Sequence, residues 1–334
     1  MAKGKSGGNY VGSEANVGVT RKSPAEEIEE RRKKASETIS GATNKAELKA
    51  AMESLGLQGQ TSFIDGVKSF ESAQRIASAV ADMNAVWGVE GIGDVTTKGN
   101  FASGTIGYRQ AGDPTIHLNP KEYNNIGALQ VSNGLESVLN FTYKNQSPES
   151  VVKHEYAHVL EDRLVDMHSD SLRRIEAQRA SAQATIDRLT QGHQKEWQEA
   201  SKYLDRASSV RTVQARFKNV VKARDVMRRA LNPSDFNALM SAINSRTAAQ
   251  NARTMHIRSV QESAIQRIFG SVGMTSPTHV ASEMTGNPRA YARKNWHEAH
   301  AEAIADYMTN GRNASPVSIA YAQAFAREIG VTLP

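Results

Sequence analysis

The segment SPESVVKHEYAHVLED, residues 147–162, constrains this chain more than any other stretch. Ser147 followed by Pro148 is an N-cap and first-turn proline pair, so a helix begins there. Val152, Val159 and Leu160 give that helix a side for burial. Residues four apart on an α-helix differ by about 40° in azimuth, so His154 and His158 project from one face, with Glu155 beside them. Two imidazoles on one face can reach a single ion. The fold must then bring a further ligand to that face from elsewhere in the chain.

Composition narrows the ligand types. The 334 residues include no cysteine, which removes disulfides, thiolate sites and cysteine nucleophiles together and leaves His, Asp and Glu. Zinc accepts imidazole nitrogen at about 2.0–2.1 Å, and a catalytic site uses three protein ligands while leaving a fourth position for water. Glu155 has the place of the general base that takes the proton of that water. The third ligand is expected in YARKNWHEAHAEAIADYM, residues 291–308. Glu302 and Asp306 lie four apart there, so Glu302 is the expected ligand and Asp306 the carboxylate that hydrogen-bonds a ligating histidine and fixes its tautomer. Glu298 shares the face of Glu302 and is the alternative. His300 lies about 160° from Glu302 around the helix, so the two cannot face one ion.

Helical signals surround this segment. Ser23-Pro24 with Glu26 predicts a helix to about residue 39, and Asn44 predicts another that stops at Gly56. A third is expected over residues 62–86. Between residues 88 and 119 the texture changes to short segments punctuated by glycine, including DVTT, GTIGYRQ and TIHLNP. They predict strands, with an antiparallel hairpin over about 105–118. Residues 169–269 are polar, alanine-rich and helix-forming almost throughout, as a long hairpin or bundle insertion would be. After Gly270 the stretch SVGMTSPT predicts a loop, and residues 295–309 a further helix. The expected organisation is a disordered basic tail over 1–22, an N-terminal portion over 23–168 with helices, sheet and motif helix, the insertion over 169–269, and a closing portion over 270–334.

HEYAH with a downstream EAIAD resembles the gluzincin group of zinc metallopeptidases. TIHLNP before the motif helix and YARKN…HAEAIADYM after it are similar to metallopeptidases found in phage head-associated and toxin-like proteins. Trp296 and Ile304 depart from that pattern, which has proline and an aromatic residue there; neither departure removes a ligand. The resemblance covers about residues 60–165 and 275–310. It implies an α+β, predominantly helical fold with a zincin-like core, namely a small twisted sheet beside the active-site helix, carrying the long helical insertion. It implies a Zn2+-dependent peptidase with His154, His158 and Glu302 as ligands and Glu155 as base. Thr115, Ile116, His117, Leu118 and Asn119 would form the edge strand that receives an extended peptide, and Tyr291, Tyr307 or His117 would serve as oxyanion donor.

The rival expectation is a non-catalytic virion or assembly protein that keeps the fold and uses the insertion to bind a partner or DNA. Arg211, Lys218, Lys222 and Arg229 share one helix face in the insertion and could track phosphates, but Phe217 is the only aromatic among them, so a solvated charged face is the favoured reading over nucleic acid. Self-association or a virion partner remains the expectation for the insertion. The formal charge of +6, the polar N-terminal twenty residues and the lack of any bilayer-length apolar run predict a soluble cytoplasmic chain without a classical signal peptide or membrane span; the phage resemblance adds packaging in a virion.

Overall fold

The computed structural model describes residues 22–88, 93–110, 113–210 and 212–333. The expected N-terminal tail and Arg211 of the basic stripe therefore lie outside the described residues. The chain is predominantly helical with one small three-stranded sheet. Six helices begin at a Ser or Asn followed by proline, which caps the first turn and presets its φ. They are α1 (Pro24–Ser40), α5 (Pro120–Tyr123), α7 (Pro148–Leu160), α11 (Pro233–Ser271), α12 (Pro277–Thr285) and α14 (Pro316–Glu328). Three of these, α5, α12 and α14, are not among the elements expected from the sequence. In each the signal is present: Asn119-Pro120 ends a strand and starts a helix at once, with Asn119 Oδ1 accepting from Lys121 N at 3.1 Å.

The N-terminal elements form a layer under the motif helix. After α1 come α2 (Lys45–Ser54), α3 (Ser62–Gly66) and α4 (Phe70–Trp87). The single helix expected over 62–86 is thus two helices. Val67 is extended, and Ser69 Oγ accepts from Ser72 N at 3.0 Å, starting a new helix rather than continuing the old one. α4 buries Ile76, Val80, Met83 and Trp87 against α7, where Val152, Tyr156, Val159 and Leu160 are buried in return. Lys153 of α7 reaches Asp82 of α4 at 2.9 Å, and Arg32 of α1 reaches the same carboxylate at 2.8 Å, so one half-buried acid ties three helices.

The strands are β1 (Val95–Thr96), β2 (Gly107–Arg109) and β3 (Ile116–Leu118), in the order β1-β3-β2. β2 and β3 are antiparallel with Tyr108 opposite His117, as the hairpin reading expects; β1 runs parallel to β3 with Thr96 opposite His117. β3 is therefore the central strand. The expectation that Thr115, Ile116, His117, Leu118 and Asn119 form the open edge is overturned, because main-chain groups of β3 are already paired on both sides. The edge beside the motif helix is β2 instead, bonded only to β3 among the described residues.

Residues beyond the motif helix build an arm and then return. α8 (Asp170–Thr190) packs along α11, while α9 (Gln194–Ser209) pairs with α10 (Val213–Ala230). These helices enclose a separate apolar cluster of Ile186, Leu189, Val226, Met227, Phe236 and Leu239. α11, at 39 residues, spans about 58 Å and joins both clusters, since Ile265, Ile268 and Phe269 near its end lie in the main core. On α10 the side chains of Arg216, Lys218, Lys222, Arg224, Arg228 and Arg229 are exposed. The chain closes with α12, α13 (Trp296–Asn310) and α14, with α13 laid against α7. No described helix is long and apolar enough to cross a membrane.

Close approach of α3 to the sheet has a testable cost. A Cβ at Gly66 would lie 1.8 Å from Thr97 Oγ1 and 2.9 Å from Thr97 Cβ, so rotating the threonine does not relieve the clash. Gly66→Ala is expected to destabilise the protein by about 1–3 kcal/mol, read as a lowered urea midpoint with an unchanged m value.

Candidate metal centre

Two helices and one strand edge make the site. On α7, Ser147 N donates to Ser150 Oγ at 3.0 Å and Pro148 sets the first turn, which phases His154, Glu155 and His158 toward α13 and β2. On α13, Asn295 Oδ1 accepts from Glu298 N at 2.9 Å, so the cap itself places Glu298 in the first turn. Trp296, at the position where the resembled pattern has proline, is buried with its ring 5.6 Å from that of Phe269. The two helices are locked by His300, fully buried, whose Nε2–H donates to Ala157 O at 2.9 Å while Nδ1 accepts from Tyr321 OH at 2.8 Å. Burial lowers His300 to about 4, so it is a neutral packing residue.

The carboxylate that the fold places with the two Nε2 atoms is Glu298 rather than Glu302. Glu298 Oε2 lies 3.2 Å from His154 Nε2 and 3.7 Å from His158 Nε2, and the three donor atoms all lie within 4.8 Å of one another. Tetrahedral ligands at about 2.0–2.1 Å from zinc stand roughly 3.3 Å apart, close to the two carboxylate–imidazole distances here. Glu302, the ligand expected from the sequence, instead faces the far nitrogen: His154 Nδ1 donates to Glu302 Oε1 at 3.1 Å. The contacts with the histidines anticipated for Glu302 and Asp306 are therefore made one helical turn earlier, by Glu298 and Glu302. Asp306 touches neither histidine. Its carboxylate accepts from Ser315 N at 3.0 Å and Asn310 Nδ2 at 2.8 Å, fixing the turn between α13 and α14.

His158 has its own orienting carboxylate, Glu161, which the sequence reading passed over. His158 Nδ1 donates to Glu161 Oε1 at 2.8 Å, and His297 Nδ1 donates to Glu161 Oε2 at 2.8 Å. The signal was available, since a residue three after His158 returns to nearly the same helix face. Each of these imidazoles thus presents Nε2 to Glu298 and Nδ1 to another carboxylate, the arrangement that fixes tautomer and ring orientation in metal sites. The two rings stand 4.9 Å apart at 83°.

Electrostatics follow from this packing. Burial pushes the His154 imidazolium down, but hydrogen bonds to Glu298 and Glu302 outweigh it and raise His154 well above the usual imidazole range. Burial likewise opposes charge on His158, and the Glu161 and Glu298 carboxylates lift it to about 9. Glu298 and Glu161 are pushed up by burial and held well below the usual carboxylate range by those same imidazoles. Glu155 differs. Burial dominates and raises it above the ordinary carboxylate value, only partly offset by His154 and His158.

Glu155 is reached from a cavity of about 390 Å³ whose walls are residues 103–107 on one side and Asn133, Thr142, Gln146, Tyr291 and Lys294 on the other. Gly107 of β2 makes that approach possible: a Cβ there would sit 3.1 Å from Glu155 Cγ. Arg109, two residues on, donates to His158 O at 2.8 Å and pairs with Asp162, fastening the strand edge to α7. Gln261 of α11 donates to the same Asp162 at 2.8 Å.

Of the three expected oxyanion donors, only Tyr291 lines this cavity, its ring 5.8 Å from that of His154. His117 is on the opposite face of the sheet from Gly107 and Leu118; its ring stacks on Tyr108 at 4.7 Å and its Nδ1 lies 2.6 Å from Lys98 O. Tyr307 lies nine residues after Glu298, about 180° around α13, where it feels Arg32 and Glu29 of α1. Neither faces the histidines. A larger hollow of about 590 Å³ lies in the arm between α8 and α11, lined by groups that pair with one another, such as Arg246 with Gln183 at 2.8 Å, and it contains no histidine.

Comparison of the chain with protein-family models, with curated proteins and with solved structures finds no match.

The two glutamates of α13 are separable by zinc titration. Glu298→Ala is expected to abolish stoichiometric zinc binding, whereas Glu302→Ala weakens it about 10–100-fold, as removal of an orienting partner does. Competition against a chromophoric chelator measures both; the reverse order would overturn the assignment.

Proposed function

We propose that this chain is a zinc-dependent peptidase with a zincin-like core, made of the three-stranded sheet, α7 and α13. The observation that carries the reading is the convergence of His154 Nε2, His158 Nε2 and Glu298 Oε2 beside Glu155, with His154 and Glu155 in the wall of the cavity. Zinc held there would act as a Lewis acid on a substrate carbonyl and lower the pKa of water.

Every other step belongs to the chain's own backbone and side chains. An extended peptide adds to the open edge of β2 by main-chain hydrogen bonds, which aligns one of its amides over Glu155. Glu155, raised by burial, takes a proton from the attacking water and delivers it to the nitrogen of the leaving amine. Tyr291 stays a neutral phenol, because burial and the nearby Glu298 and Glu155 carboxylates raise it, and so can donate a hydrogen bond to the developing oxyanion. Glu302 and Glu161 hold the imidazole rings in place throughout. Peptide or protein is the substrate class, and the arm, with its own apolar core and basic α10, is the region left for a macromolecular partner.

Glu155→Gln is the direct test. Hydrolysis of a proteome-derived peptide library should fall by about 10²–10⁴-fold while one equivalent of zinc is retained, measured by mass spectrometry of products and by elemental analysis. Undiminished cleavage by the variant would refute the mechanism.

A further inference from the structure

The helix α6 (Ile126–Val138) is apolar on both sides, although only one side is packed. Its inner face buries Ile126, Leu129, Asn133 and Ser137. Val131, Leu135, Val138 and Leu139, the last directly after the helix, lie within about 100° of one another on the opposite face, because residues four, seven and eight apart return to one side. Together with Phe141 they are between 46% and 78% exposed. These are five of the ten large apolar side chains that the described residues expose, so the stretch over 131–141 is a patch rather than the single scatter that is normal on a surface. Glu136 is the only charged residue in α6, so the outer face lacks the charges that solvate an ordinary surface helix.

The patch runs into the cavity beside Glu155. Glu136, three residues before Leu139, lines that cavity and also a second hollow of about 260 Å³, and Thr142, Tyr291 and Lys294 are common to both. Phe141 lines the second hollow. Its place is fixed by the way α6 ends: Asn140 takes the left-handed conformation at φ 56°, Asn140 N donates to Ser137 O at 3.1 Å, and Phe141 N donates to Glu136 O at 3.0 Å. Phe141 O accepts from Tyr291 N at 2.8 Å, so the end of the patch is tied to the turn that carries Tyr291.

We infer that the outer face of α6 and Phe141 form a docking surface for an apolar segment of the polypeptide substrate, held while a neighbouring stretch of the same substrate lies in the cavity beside Glu155; the inference rests on the peptidase reading above. Continuity of the patch with that cavity through Glu136 and Phe141 is what assigns the occupant. Such a surface favours unfolded or partly unfolded proteins, because runs of large apolar residues are buried in folded ones. A second copy of this chain fits less well, since five side chains are few against the roughly 20–30 residues a side of a stable interface. A lipid surface also fits less well: helices that lie in a membrane interface carry Lys or Arg on their polar face, and α6 has neither. Arg289, Arg293 and Lys294 in the walls of the second hollow would suit an anionic lipid, so vesicles enter the test.

Docking is read by binding, without hydrolysis, so its failure is distinguishable from failure of the peptidase reading. The Glu155→Gln protein, with and without zinc, is titrated with fluorescent peptides of about 24 residues, long enough to span about 80 Å when extended. One set carries a block of Leu, Val and Phe near either end and Gly, Ser, Thr and Gln elsewhere; in the other set Ser replaces the block. The apolar block should tighten binding at least about 10-fold. Leu135→Gln, Val138→Gln and Leu139→Gln together should remove that preference and leave the thermal midpoint unchanged, because all three side chains are exposed. With Glu155 restored, the same triple substitution should raise KM for the long apolar peptide while kcat and the cleavage of hexapeptides stay as they were. Equal binding of the two peptide sets, a preference that survives the triple substitution, or an unchanged KM overturns the inference. It is likewise overturned if the substitutions leave peptide binding intact and instead abolish self-association in sedimentation equilibrium or pelleting with phosphatidylcholine–phosphatidylglycerol vesicles.

Discussion

A carboxylate wedged between two imidazoles organises this protein. Glu298 faces His154 and His158 from α13 at 3.2 and 3.7 Å, and every charge in the cluster is largely withdrawn from water. Ionised groups in that setting persist only when each is paired and hydrogen-bonded. The cluster meets the requirement by extension: Glu302 covers the outer nitrogen of His154, Glu161 covers that of His158, and His297 covers the second oxygen of Glu161. Removing any one member strands a buried charge.

Rigid apolar packing keeps those groups in register. α7 is packed on one side against α4, where Tyr156 and Leu160 are buried, and on the other against α13, whose alanines at 299, 301, 303 and 305 are all buried. His300 adds a neutral hydrogen-bonded bolt between them. The sheet edge is held by different means, through Arg109 to the last turn of α7 and through the missing side chain at Gly107. His154, Glu155, His158 and Glu298 thus sit on helices, while the walls of the cavity also draw on the loop before β2, the segment after α6 and the turn over 291–294.

The arm obeys a separate logic. Its apolar cluster shares no residue with the main core, and α11 is the element common to both. Gln261, in the half of α11 nearer the core, bonds Asp162 just beyond the motif helix, so the arm is mechanically continuous with the site even though no residue of its distal pair, α9 and α10, lines the cavity.

Local physics is legible in the residues themselves. Capping signals such as Ser23-Pro24 and Ser147-Pro148 mark helix starts, the HEYAH spacing puts two imidazoles on one face, and glycine and proline punctuation marks the short hairpin, because each of these depends on neighbours within one or two turns. Glu298 and Glu302 could not be told apart that way: four residues apart, they share a face, and which one meets Nε2 depends on how far α13 slides along α7. The same holds for the sheet. A sequence of three short strands does not say which is central, and only the pairing of β1 with β3 across the chain made β2 the open edge. The sequence by itself determined that a helix carries two histidines and a glutamate toward one side; tertiary packing decided which distant carboxylate completes them, since helix register and strand order are set by long-range burial that no local pattern encodes.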